Sequence, residues 1–249
     1  MTEFRPGRFQ ILPLVVKNLL IINVLVFLIQ LAAHKITGTD AFTDQFALHY
    51  WRSDLFRPYQ FITHMFLHGG WEHILFNMFA LWMFGSVLEN VWGPKKFIIF
   101  YLICGLGAAL TYMVVLDLRF HHMLSQSGLT VDQVESYWIQ YQNHLNYNFA
   151  ALPQSIIQIW IEPTLGASGA IFGLLAAFGL LFPNSMIYLY FFFPMKAKWF
   201  VLIYIGIELY MGIRNSPADN VAHFAHLGGA LFAFLLLKVW KKADRRNFY

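Results

Sequence analysis

The sequence predicts an all-α, polytopic membrane protein, a bundle of six transmembrane helices with both termini cytoplasmic. Three observations carry this. Of 249 residues, 58% are hydrophobic and 12% charged, against roughly 25% charged in a typical soluble domain. The apolar residues fall into six blocks, most of them near the roughly 20 residues that cross a bilayer as a helix. Lysine and arginine are spread unevenly around those blocks, and basic residues are retained on the cytoplasmic side. The net charge of +4 then reflects cytoplasmic basic loops, and nucleic-acid binding and disorder drop away. The single cysteine, Cys104, sits in an apolar block and excludes an intrachain disulfide.

The first helix is read at residues 14–33. With Arg5, Arg8 and Lys17 near its start and Leu31-Ala32-Ala33 at its end it could pass for a signal peptide, but its length, Asn23 and Gln30 favour a retained helix. The second spans 71–91, the third 97–116, the fourth 168–183 with its stop at Pro183, the fifth 199–213 and the sixth 221–240. Six crossings place 12 basic residues inside and 5 outside (Lys35, Arg52, Arg57, Arg119 and Arg214). Helices two, four and six then run inward from the outer face. Two long outer segments, 34–70 and 118–167, are rich in aromatic rings such as Trp51, Tyr59, Trp138, Tyr147 and Trp160, and the rings predict that both lie on or partly within the outer leaflet. The apolar run Met186 to Phe193 is too short to cross, is closed by Pro194, and predicts an inner-face interfacial segment. Residues 1–249 read as one domain.

Polar side chains inside spanning helices are costly, so their positions carry information. Ser168 opens helix four, His226 lies in the first turns of helix six, and His73 and Asn77 start helix two. By the topology above, all four share one depth. A serine, a base and hydrogen-bond donors at one level suit acyl transfer: His226 takes the Ser168 proton as the serine attacks a peptide carbonyl, then returns it to the leaving amine. No suitably placed aspartate is evident, which predicts a Ser-His dyad. The Ser168 backbone N–H, His73 and Asn77 would form the oxyanion hole. Small faces, Gly169, Gly173 and Ala177 on helix four and Gly229, Ala230 and Ala233 beside His226 on helix six, let the two backbones approach.

Single features have plainer readings. A lone serine in a spanning helix usually packs or bonds its own backbone. His223, one turn outward of His226, competes as the base, but only His226 is followed by glycine three residues on. His64, His68 and His73 lack metal-ligand spacing, so hydrogen bonding of the outer loop is the expected role, and neither a metal nor a cofactor is expected. Glu89 is read as bonding the turn after helix two, and Glu208 as facing the polar cavity, both structural.

These residues give the sequence its resemblance to the rhomboid family of intramembrane serine proteases. The shared features are His64-Met-Phe-Leu-His68, His73-Ile-Leu-Phe-Asn77, Glu89 before Trp92-Gly93, Gly166-Ala-Ser168-Gly169, and Ala225-His226 with Gly229. The resemblance implies a Ser168–His226 dyad, His73 and Asn77 lining the oxyanion hole, transmembrane protein substrates cleaved near the outer face, and lateral substrate entry around helix five. A rhomboid-like protein that binds transmembrane segments without cutting them is the alternative. Many members carry tyrosine where this chain has Phe172, which keeps the ring but not the hydroxyl. Trp51-Arg52 stands 12 residues before His64, out of register with the bacterial Trp-Arg pair. A bacterial plasma membrane is the expected location, and the sequence does not fix the oligomeric state.

Overall fold

The structure is a computed structural model, and it describes residues 9–142, 152–189, 193–214 and 222–246. In chain order it has α1 (Leu14–Thr37), α2 (Ala41–Phe46), α3 (Gln60–Thr63), α4 (Trp71–Ala80), α5 (Ser86–Trp92), α6 (Pro94–Ser127), α7 (Val131–Gln142), α8 (Gln154–Ile161), α9 (Ser168–Leu181), β1 (Met186–Leu189), β2 (Phe193–Lys196), α10 (Ala197–Arg214) and α11 (His223–Arg246). A π turn over Leu81–Gly85 joins α4 to α5 into one rod. Among the described residues, four helical runs are long and apolar enough to cross a membrane: Leu14–Thr37, Trp71–Trp92, Pro94–Ser127 and His223–Lys241. The shorter α9, with 14 residues, is apolar all round and buried along nearly its whole length, as a helix enclosed by others must be. Ile21, Ile22, Leu25 and Leu28 of α1 are exposed, an apolar surface that suits lipid and not water.

Among the described residues these elements form two apolar cores. One lies among the long helices, around Phe84, Phe97, Tyr101, Cys104, Leu174 and Ala233. The second is a cap in which Leu48, Tyr50, Phe120, Trp138, Ile156 and Trp160 close on one another. The cap is where expectation and structure differ most. The third helix does not stop at 116 but runs to Ser127, so the segment read as 118–167 begins inside a helix. Its buried stripe Met113, Leu116, Phe120 and Leu124 keeps helical spacing past Asp117 and Arg119, and no breaker intervenes before Gly128. Further on, α7 and α8 fold against that extension; residues 143–151, Tyr147 among them, lie outside the described residues.

Other boundaries shift for local reasons. The fourth helix ends at Leu181, since the residue before a proline is pushed out of the helical region. The run read as an interfacial segment closed by Pro194 contributes two paired antiparallel strands, with Tyr188 opposite Pro194 and Met186 opposite Lys196. Such a short apolar stretch reads equally well as strand. α10 and α11 begin at Ala197 and His223, while Arg5, Arg8 and Val221 fall outside the described residues.

Long-range polar contacts hold these parts in register. α1 starts after Pro13 without a side-chain cap, and the Val15 and Val16 N–H groups donate to the two carboxylate oxygens of Glu89, at 2.9 and 2.8 Å. With its carboxylate Glu89 thus satisfies the open start of another helix, while its backbone carbonyl accepts from the Gly93 N–H at 2.8 Å in the turn that follows. Gln30 faces inward and its Oε1 accepts from the His68 N–H at 3.0 Å. In the cap, Asp117 Oδ1 accepts from Tyr50 Oη at 2.7 Å, Trp51 Nε1 at 2.9 Å and Arg52 Nε at 3.2 Å. Trp51-Arg52 therefore anchors its loop to the extension of α6.

Candidate active site

Ser168 is the first residue of α9 and His226 lies in the first turn of α11. What brings them together is a close approach of two backbones. A Cβ on Gly229 would stand 1.9 Å from the Gly169 carbonyl oxygen, so no residue larger than glycine lets α11 lie this near to α9. The small face of α9 is shared, however. A Cβ on Gly169 would meet Ala108 at 2.5 Å, and one on Gly173 would meet Cys104 at 2.5 Å, so those two glycines admit α6 first.

At this crossing His226 Nε2 lies 2.8 Å from Ser168 Oγ. The imidazole stacks on Phe172, with ring centres 4.1 Å apart and planes 4° from parallel. Phe172 is one turn beyond Ser168, so the helix that carries the serine also holds the histidine ring flat. On the far side of the ring, His226 Nδ1 lies 3.0 Å from Glu208 Oε2, and His223 Nδ1 lies 2.7 Å from the same oxygen. Glu208 comes from α10 and its side chain is 6% exposed. Sequence reasoning gave it only a structural place in the cavity. Its signal was a carboxylate in the middle of an apolar helix, which by itself marks a site; its partner could not be read because the helix rotation was unknown.

His73 faces the same place from α4. Gly166 has φ 129°, a conformation that favours glycine, and a Cβ there would lie 2.9 Å from His73 Nε2 and 3.6 Å from Ser168 Oγ. The imidazole and the hydroxyl thus flank one spot. The Gly69 N–H donates to His73 Nδ1 at 3.2 Å, which leaves the proton on Nε2, the nitrogen turned to that spot. Asn77 is one turn further along α4, its Nδ2 donating to the His73 carbonyl at 2.9 Å. No direct hydrogen bond joins Asn77 to Ser168 or His226 among the described residues.

The chain entering α9 is pinned from the cap. The Gly166 N–H donates to the His64 carbonyl at 2.9 Å, and Leu48 and Thr164 exchange two backbone bonds of 2.9 Å. His64 Nδ1 lies 2.8 Å from the Gln60 carbonyl, and burial pulls its pKa down to about 4. His68 packs edge-on against His73 with centres 5.2 Å apart, and burial with His73 nearby lowers its pKa to about 3. Both histidines are therefore neutral at pH 7. Among the described residues one set of donors has the proximity a metal needs, the Glu208 oxygen and the His223 and His226 nitrogens, within 4.8 Å of one another. Those atoms already hydrogen-bond one another.

The fold and the site are those of a helical, multi-pass membrane protein with a serine and a histidine paired between two apolar helices. A family model described as the Rhomboid domain matches residues 55–242, and the chain belongs to the rhomboid family. It is 26% identical over 193 residues to RHOMBOID-like protein 12, mitochondrial, of Arabidopsis thaliana, covering 77% of this chain and 48% of that protein. It is 26% identical over 170 residues to Rhomboid protein 1, mitochondrial, of Saccharomyces cerevisiae, covering 68% of this chain and 38% of that one. It is also 26% identical over 178 residues to Rhomboid protease GluP of Bacillus subtilis, covering 70% of this chain and 25% of that one. The chain thus spans about half the length of the first of these, or less of the others. With relatives named for mitochondria beside a bacterial one, the expected bacterial plasma membrane gains no support.

Proposed function

We propose that this chain is an intramembrane serine endopeptidase that cleaves transmembrane segments of membrane-protein substrates near the outer membrane face. In this reading residues 1–249 are one domain, α9 and α10 complete six crossings, both termini are cytoplasmic, and the cap lies on the outer side. The observation that carries the reading is the 2.8 Å contact between Ser168 Oγ and His226 Nε2, inside a bundle where an unpaired hydroxyl and imidazole would be costly.

Ser168 is the nucleophile. As its Oγ attacks the substrate carbonyl carbon, its proton passes to His226 Nε2, and the carbonyl oxygen takes the negative charge. That oxyanion meets donors already aimed at the serine: the Ser168 N–H, free because it opens a helix, and the His73 Nε2–H. The remaining N–H of the Asn77 carboxamide is the third donor. Collapse of the intermediate breaks the peptide C–N bond, and the His226 proton goes to the leaving amine. Water then repeats the sequence on the acyl-enzyme and restores Ser168. Gly166, Gly169, Gly229 and Phe172 support the pair by permitting close approach and holding the ring, while His64 and His68 set the loop.

A fluorophosphonate probe applied to the detergent-solubilised chain tests this without knowledge of the substrate. Covalent labelling is expected in the wild type and absent in Ser168→Ala and His226→Ala, each with wild-type melting. Unlabelled, folded wild type beside a labelled active rhomboid protease points to the non-cleaving, segment-binding alternative.

A further inference from the structure

The second nitrogen of His226 is committed to a partner on a different helix. Nδ1 lies 3.0 Å from Glu208 Oε2 while Nε2 lies 2.8 Å from Ser168 Oγ. An ionised carboxylate only accepts hydrogen bonds, and a neutral imidazole carries one N–H. The proton of His226 therefore sits on Nδ1, and Nε2 presents its lone pair to the serine. The opposite tautomer would leave Nδ1 and the carboxylate oxygen facing each other without a proton, and would put a donor where the base must be.

We propose that Glu208 is a positioning residue for His226, so that the unit that activates Ser168 is a serine, a histidine and a glutamate drawn from α9, α11 and α10. This rests on the protease reading above. As Ser168 attacks, its proton moves to Nε2 and the ring becomes an imidazolium beside a carboxylate that is 6% exposed. The attraction between them, little screened at that depth, favours the transition state over the resting state. Glu208 takes no proton at any stage: the proton that leaves Ser168 goes to the amine, and the one taken from water returns to Ser168. His223 gives the same oxygen a second donor at 2.7 Å and so holds the carboxylate in place. Among the described residues, His73 on α4 acts electrostatically on His226 and Tyr204 on α10 on Glu208.

A plain structural link between α10 and α11 is the competing account, but other contacts already supply one. Arg119 Nη2 donates to the Gly212 carbonyl at 2.8 Å and its guanidinium lies 5.2 Å from the Phe224 ring. Gly212 lets Phe224 pack directly on α10, where an added Cβ would meet it at 2.9 Å.

The test measures fluorophosphonate labelling rates of the full chain against pH for wild type, Ser168→Ala, Glu208→Gln and Glu208→Asp. Glu208→Gln removes the negative charge that the imidazolium faces, and with its amide N–H toward Nδ1 it favours the wrong tautomer, so its rate at neutral pH is expected to fall by up to the order of 10⁴, as when a triad carboxylate becomes an amide. The pH profile of that variant loses the plateau of the wild type, and Glu208→Asp recovers part of the rate. Wild type that labels, Ser168→Ala that does not, and folded Glu208→Gln within about threefold of wild type with the same profile would overturn the proposal and leave the protease reading intact; an unlabelled wild type overturns both. Should Glu208→Gln fail to fold, ¹⁵N NMR of histidine-labelled wild type decides, because His226 protonated on Nε2 in the resting protein is incompatible with the proposal.

Discussion

In the bundle, α9 meets α6 and α11 through glycine and alanine; in the cap, α6, α7 and α8 meet the loop around Tyr50 through rings. The first kind of contact brings backbones together and leaves almost no tolerance, since a Cβ on Gly229 would lie 1.9 Å from a carbonyl oxygen. The second stacks large side chains, Tyr50 on Phe120 at 5.3 Å and Phe120 on Trp160 at 5.7 Å, at the natural spacing of aromatic pairs. Where Ser168 and His226 meet across two helices, small residues do the packing. Where a loop must be held over the site, bulk does.

Substituting at the two kinds of contact should therefore have different consequences, and the bundle should show the larger. Gly229→Ala forces α11 away from α9, and a displacement of about 1 Å at a reacting pair can cost on the order of 10² in rate. The expected outcome is a fluorophosphonate labelling rate reduced by about that factor or more, with melting lowered by overpacking. A normal labelling rate in this variant would show that the crossing of α9 and α11 is softer than its geometry implies. His73→Ala acts without moving a helix. Loss of one oxyanion donor typically costs on the order of 10²–10³ in turnover, so cleavage of a model transmembrane substrate should fall by that order while the melting temperature holds.

The bundle was also the more legible part of the sequence. Apolar runs near 20 residues and the spacing of His73, Asn77, Ser168 and His226 are local patterns, and they identify which helices carry polar groups and at what depth. What they leave out is rotation and reach. Glu208 meets His226 only because α10 turns that face inward, and Glu89 meets the start of α1 across more than 70 residues. The cap was harder to read. Asp117 and Arg119 look like the end of a spanning helix, although the buried stripe continues through Phe120 and Leu124. The strand pair 186–189 and 193–196 was hidden because a short apolar run has no distinguishing period.

The cap offers the converse test. Trp160 is fully buried, and removing such a ring costs about 3–5 kcal/mol. In Trp160→Ala the loss should fall on the cap, seen as faster hydrogen exchange in residues 46–63 and 152–161, with fluorophosphonate labelling reduced far less than in Gly229→Ala. Asp117→Asn keeps an acceptor for Tyr50 and Trp51 but loses the charge that Arg52 faces. Partly exposed ion pairs of that kind contribute about 1 kcal/mol or less, so a small fall in melting temperature is expected. Equal losses of labelling in Trp160→Ala and Gly229→Ala would mean that cap and bundle form a single cooperative unit.

A pH dependence is expected to start in the cap as well. His64 is buried, with its pKa lowered to about 4 from the ordinary value near 6.5 of an unfolded chain. Between those two values the unfolded form binds the proton and the folded form does not. Stability is therefore complete above about pH 6.5 and declines as pH falls toward 4. His68, pulled down to about 3, acts in the same direction. Because the His64 carbonyl accepts the Gly166 N–H at 2.9 Å, loosening here reaches the loop that leads into Ser168. His64→Asn, whose side-chain amide can still donate to the Gln60 carbonyl, should flatten the decline in melting temperature between pH 6.5 and 4.5. An unchanged slope would show that His64 is not the acid-sensitive group.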